Sequence, residues 1–95
     1  MPKKPQIVKM LRKKLFYATI FVKLKEGVLD PQGSTIKRAL EDMGYKDIEE
    51  VRSGKVFEIS LNSKNRKGTE KVLDEICKKL LANPVIEKYQ IEIKR

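Results

Sequence analysis

Ninety-five residues, 40% of them hydrophobic and 37% charged, make one globular domain with a thin core, and so small a chain gains by covering a face with another subunit. The formal charge of +9 invites a nucleic-acid reading, yet Lys3, Lys4, Lys9, Arg12, Lys13 and Lys14 crowd the first fourteen residues with no acidic residue among them, so the remainder is close to balance. No apolar run is long enough to span a bilayer, no signal-peptide core precedes a cleavage site, and the single cysteine permits no intramolecular disulfide, so a soluble cytoplasmic protein is expected.

Residues 1–15 form a basic N-terminal extension outside the regular pattern, and IVKMLRKKL within it is compatible with a short helix, an extra edge strand or disorder. A single domain, 16–95, follows. From Phe16 to Leu24 the residues alternate, with Phe16, Ala18, Ile20, Val22 and Leu24 on one face and Tyr17, Thr19, Phe21 and Lys23 on the other. Large apolar groups on both faces predict a central strand covered on both sides, one cover being another subunit. Ile36, Ala39, Leu40 and Met43 then fall at i, i+3, i+4 and i+7, and Gly44 stands where a left-handed C-terminal residue is wanted, which predicts a helix over 31–43.

DIEEVRSGKVFEISL reads as two strands joined in a hairpin around Ser53 and Gly54. In TEKVLDEICKKLLA, Val72, Ile76 and Leu80 make one row and Leu73, Cys77 and Leu81 the next, so a second helix is expected, ending before Asn83 because Pro84 biases its predecessor away from α conformation. VIEKYQIEIKR alternates again. The order βαββαβ predicts an α+β, ferredoxin-like two-layer sandwich, an antiparallel sheet with two helices on one face.

Catalytic equipment is sparse. Without histidine, no Ser-His or Cys-His dyad and no His-containing metal site can be built. Cys77, with Leu73 and Leu81 one turn to either side, reads as a core residue, and neither common glycine-rich phosphate loop occurs. Glu41 with Asp42 and Glu49 with Glu50 read as solvated pairs with nothing nearby to tune a general acid. An independent enzyme is not expected.

The sharpest local feature is DPQG. Asp30 is a good N-cap, Pro31 suits the first helical position, and Gly33 lies at the third, where glycine costs up to about 1 kcal/mol relative to alanine. Either an anion sits on the free N–H groups of that turn, or a neighbouring segment packs against a position that tolerates no side chain. Packing is the better reading, because the Asp30 carboxylate already occupies those donors.

Taken together, LKEGVLDPQG (Leu24–Gly33), ALEDMGY (Ala39–Tyr45), VRSGKVFEI (Val51–Ile59) and CKKLLANPVIEKYQIEI (Cys77–Ile93) resemble the PurS family, small subunits of phosphoribosylformylglycinamidine (FGAM) synthase. The resemblance implies a noncatalytic member of a purine-biosynthetic complex. In it a large PurL-type synthetase subunit uses ATP and Mg, a PurQ-type glutaminase supplies ammonia, and the small subunit bridges them as a homodimer or dimer of dimers, binding no cofactor itself. By position it also implies that Asp30, Pro31, Gln32 and Gly33, Arg52, Gly54 and Lys55, and Asn83 and Pro84 are structural or subunit-contact residues. The basic extension, and Lys64, Arg66 and Lys67 ahead of the second helix, depart from the family's pattern.

The competing reading is a small basic RNA-binding module, since RNA-recognition domains share the βαββαβ order and stack bases on aromatic residues of the middle strands. Tyr17 and Phe21 are the candidates. GKVFEIS lacks the corresponding aromatic pattern, and Glu58 would repel phosphate, so Tyr17, Phe21 and Val56 read rather as a small patch closed by another subunit.

Overall fold

The computed structural model describes residues 13–95, so the alternatives for the segment ending at Arg12 lie outside the described residues. β1 (Lys14–Leu24) starts two positions earlier than the alternation implied, because Lys14 and Leu15 find partners in Ser63 and Asn62. It is the central strand. β2 (Gly54–Ser63) and β3 (Glu87–Lys94) flank it, both antiparallel, in the order β2-β1-β3. The register sets Ile20 between Phe57 and Ile91, and Ala18 between Ile59 and Ile93, so the apolar residues of all three strands share one face.

Between β2 and β3 lies α2 (Arg66–Ile76), which covers that face. Its start is capped by Asn65, whose side-chain oxygen accepts the Gly68 N–H at 2.7 Å, while the Thr69 hydroxyl donates to the Asn65 carbonyl at 2.9 Å. Thr69, Leu73 and Cys77, at i, i+4 and i+8, press on the sheet and are fully buried. Of the two expected rows only this one is the core row, for Val72 and Leu80 are exposed. Cys77–Leu81 continues as a π-helical turn, with the Ala82 N–H reaching the Cys77 carbonyl at 2.9 Å, and the chain leaves helical conformation before Asn83 as Pro84 requires. Phe16, Ala18, Ile20, Val22, Leu73, Cys77 and Ala82 are the buried apolar set, and each large member contributes about 1.5–3 kcal/mol.

Tyr89 ties β3 to α2 by donating its hydroxyl to the Asp74 carboxylate, which Lys78 also meets at 3.0 Å. α1 (Pro31–Asp42) forms where the periodicity placed it. It ends in a Schellman motif: the Tyr45 N–H reaches the Leu40 carbonyl, the Gly44 N–H reaches that of Glu41, and Gly44 takes φ 102°.

The α+β order and the antiparallel sheet stand, with two differences of detail. Residues 45–53 form no strand, so the expected hairpin is absent and the sheet has three strands among the described residues. A tight two-residue turn at Ser53-Gly54 would require positive φ, which Gly54 does not adopt, and the Ser53 amide is already committed elsewhere. Nor does α1 lie on the sheet beside α2. Its row stays open, with Ile36 39% and Met43 69% exposed. The second face of β1 is likewise uncovered by the described residues, Tyr17 being half exposed and Phe21 half buried.

Candidate functional site

Nine of the eleven singled-out residues gather at one end of the sheet, around the point where β1 leaves and β2 enters. The tie at its centre is Asp30. Its Oδ1 accepts the Gly33 N–H at 3.0 Å, as an N-cap should, and its Oδ2 accepts the Ser53 N–H at 2.6 Å, while the Ser53 hydroxyl donates to the same carboxylate at 2.8 Å. These donors, the Ser53 amide first and the Gly33 amide next, hold the Asp30 carboxyl below its ordinary value of 3.8. A negative charge is thus already satisfied at this helix start.

Gly33 is buried because the chain returns across it. A Cβ there would lie 2.2 Å from the Val51 carbonyl oxygen, so close packing of the 51–53 segment fills the position that an anion would need. Pro31 and Gln32 are exposed on the turn before it. Arg52 extends over the loop that follows β1 and donates to the carbonyls of Val28 at 3.2 Å, Lys25 at 3.3 Å and Leu24 at 3.4 Å. Gly54 admits β2 close to β1, since a side chain there would meet the Val22 carbonyl at 2.7 Å.

Lys55 pairs with Glu87 at 3.5 Å, and Glu87 also accepts the Asn83 N–H at 2.6 Å. Pro84 joins through its carbonyl, to which Lys25 donates at 2.6 Å. Two open clefts flank the Asp30–Ser53 tie. One, of about 400 Å³, is bordered by Gln32, Lys55 and Glu87, and the other, of about 470 Å³, by Lys37, Glu50 and Arg52. Both mix acid and base, the character of a contact surface between proteins rather than of a pocket selective for one charge.

Tyr17 and Phe21 are not part of this cluster. They project from the opposite face of the sheet, with Val56 beside Phe21 on β2. Between them Thr19 is flanked by Glu58 on one side and Glu92 on the other, so carboxylates sit where a nucleic-acid backbone would pass. Ser53, Lys25 and Glu87 escaped sequence reasoning. Their partners in Asp30, Pro84 and Lys55 lie 23 to 59 residues away, and Ser53 in particular passes for an ordinary turn residue beside Gly54. Among the described residues no group of three or more His, Cys, Asp and Glu is placed to hold a metal ion, and no helix is long and apolar enough to cross a membrane.

The family model for PurS, phosphoribosylformylglycinamidine (FGAM) synthase, matches residues 17–95. Subunit PurS of phosphoribosylformylglycinamidine synthase from Methanocaldococcus jannaschii is 42% identical over 81 residues, covering 85% of this chain and 98% of that protein. The crystal structure of Bacillus subtilis PurS superposes with a TM-score of 0.77 at 41% identity, over 84% of this chain and 99% of that one. A chain in the structure of PurLQS from Thermotoga maritima superposes with a TM-score of 0.79 at 30% identity, over 85% of this chain and 99% of that one.

Proposed function

Because this chain belongs to the PurS family of FGAM synthase subunits, we propose that it serves purine biosynthesis as the noncatalytic link between a PurL-type synthetase subunit and a PurQ-type glutaminase subunit. The observation that carries the reading is the match across residues 17–95, joined to a fold whose clustered polar groups are spent on holding the chain together. ATP and Mg belong to the synthetase partner, and this chain binds neither. The site of action is the cytoplasm. An RNA-binding role finds no support, and Glu58 and Glu92 on the aromatic face oppose it.

The linking role gives the small subunit something to do that requires no reactive side chain. Ammonia released by an undocked glutaminase is diluted into water and held mostly as ammonium, whereas docking delivers it at high effective concentration. The end of the sheet carrying Pro31, Gln32, Lys55, Asn83 and Pro84 is the surface we assign to contact between subunits. The chain works as a homodimer or dimer of dimers, with the outer face of Tyr17, Phe21 and Val56 closed by a second copy.

The test mixes the three cognate subunits, omits this one, and measures product from glutamine and from ammonium separately. Ammonium-dependent synthesis by the large subunit should persist and glutamine-dependent synthesis should fail. Undiminished use of glutamine without this chain would overturn the linking role.

A further inference from the structure

We propose that the end of the sheet remote from Asp30, where β1 begins and β3 ends, is a second docking surface that takes an acidic patch on one of the two partner subunits. This rests on the linking role above and deepens it, since a link needs two separate contacts. The eleven residues of β1 place this end about 33 Å from the end already assigned to subunit contact.

The topology gathers cations there. Lys13 and Lys14 open β1, and Lys14 pairs across to Ser63, so the turn from β2 into α2 lies beside them with Lys64, Arg66 and Lys67. β3 ends at the same place with Lys94 and Arg95. All seven side chains are exposed. Among the described residues their one ion pair is Arg66 with Glu70 at 3.4 Å, a solvated pair within a helix. Residues 1–12, which join the domain at Lys13, contain no Asp or Glu and so offer no neutralising side chain. Elsewhere the described residues are close to balance, and nearly all of their net charge stands at this one end.

The cations are held ready rather than scattered on a loose turn. Asn65 caps α2, the Ser63 and Thr69 hydroxyls both donate to the Asn65 carbonyl, at 3.2 and 2.9 Å, and Arg66 donates to the Ile93 carbonyl at 3.4 Å. The turn is thereby fixed to the end of β3, and less order remains to be imposed when a partner arrives.

The shape selects the partner. A small anion needs a concave site, and the cleft that includes Arg66, of about 350 Å³, is bordered also by the carboxylates of Glu70 and Asp74. A nucleic-acid backbone continuing from this end along the outer face would meet Glu58 and Glu92 on either side of Thr19. A compact protein surface rich in Asp and Glu fits within both limits. Exposed lysines of this kind act mainly by speeding encounter.

The experiment measures association of this chain with the cognate synthetase and glutaminase subunits, each separately, in buffer holding glutamine, ATP and Mg. Lys64→Glu/Lys67→Glu reverses two exposed cations that no described interaction occupies, and acids at those positions suit a helix start, so the fold is kept. Lys46→Glu/Lys79→Glu, away from this end, changes the net charge equally. The first variant should associate about tenfold or more slowly with one of the two subunits, with dissociation little changed and the wild-type advantage fading as salt rises, while the second keeps close to the wild-type rate. Equal rates for the wild type and the first variant with both subunits overturn this docking surface and leave the linking role standing. So does equal slowing by the two variants, which bulk charge would explain. If the first variant instead loses only binding to a short DNA duplex, the end is a nucleic-acid surface and the acidic protein patch is ruled out. A wild-type chain that binds neither subunit overturns the linking role, and this surface with it.

Discussion

Gly33 answers at the level of single atoms why a helix should begin with a residue that weakens it: the Val51 carbonyl occupies the space a methyl group would take. Gly33→Ala forces that segment outward and should lower unfolding stability by about 1–3 kcal/mol, read from urea titration, with the same loss in phosphate-free and phosphate buffers. Asp30 acts beside it through charge. Since its folded-state carboxyl ionises below the ordinary value of 3.8, its contribution is whole above that value and is lost as pH falls through the lowered one. Asp30→Asn should flatten the acid limb of a melting-temperature profile and lower the melting temperature at neutral pH. A profile of unchanged shape would mean that the ties to Ser53 and Gly33 do not form in solution.

Between elements, the Tyr89–Asp74 bond joins the third strand to the helix above it. Asp74 accepts the phenol hydrogen and pushes the Tyr89 hydroxyl up to about 12 from an ordinary 10, so the stabilisation is complete below pH 10 and disappears as pH rises toward 12. Tyr89→Phe should remove that alkaline step from circular-dichroism melts and weaken the part of the acid limb that comes from Asp74, whose carboxyl the same bond holds below its ordinary value, while the part set by Asp30 stays in place. Gly44→Ala should cost about 1 kcal/mol of helix stability, because alanine is strained at the φ of 102° that the Schellman motif holds.

The alternation of β1 and β3 and the 3.6-residue periodicity of both helices were legible because each depends on neighbours within a few positions. The opening at Ser53 was not: Ser-Gly between two strand-like runs signals a hairpin, and what cancels it is a carboxylate 23 residues earlier in the chain. The candidate site divides in the same way. The cap at Asp30 and the tight fit at Gly33 follow from local spacing, whereas the partners Ser53, Lys25 and Glu87 emerge only when the sheet brings distant segments to one end.

For the whole molecule, the balance of buried and open surface points to assembly. The outer face sets Tyr17 and Val56, each at least half exposed, beside Phe21 in a single chain with one thin core. Tyr17→Asp should shift light-scattering mass toward the smaller species while circular dichroism stays that of the folded chain. Binding of single-stranded RNA, tested across a salt series, should be no stronger for the wild-type chain than for Tyr17→Asp, because Glu58 and Glu92 remain on that face in both.

The placement of Cys77 gives this molecule a built-in clock. The sulfur sits beneath the second helix with no solvent exposure, and burial together with the nearby Asp74 charge keeps the thiol protonated beyond its ordinary range. A maleimide or disulfide reagent therefore reacts only with molecules whose helix has lifted from the sheet, and the labelling rate divided by that of the unfolded chain counts how often this happens. Measured with and without partner subunits, the same thiol reports in one mass-spectrometric experiment how much each of them slows the opening.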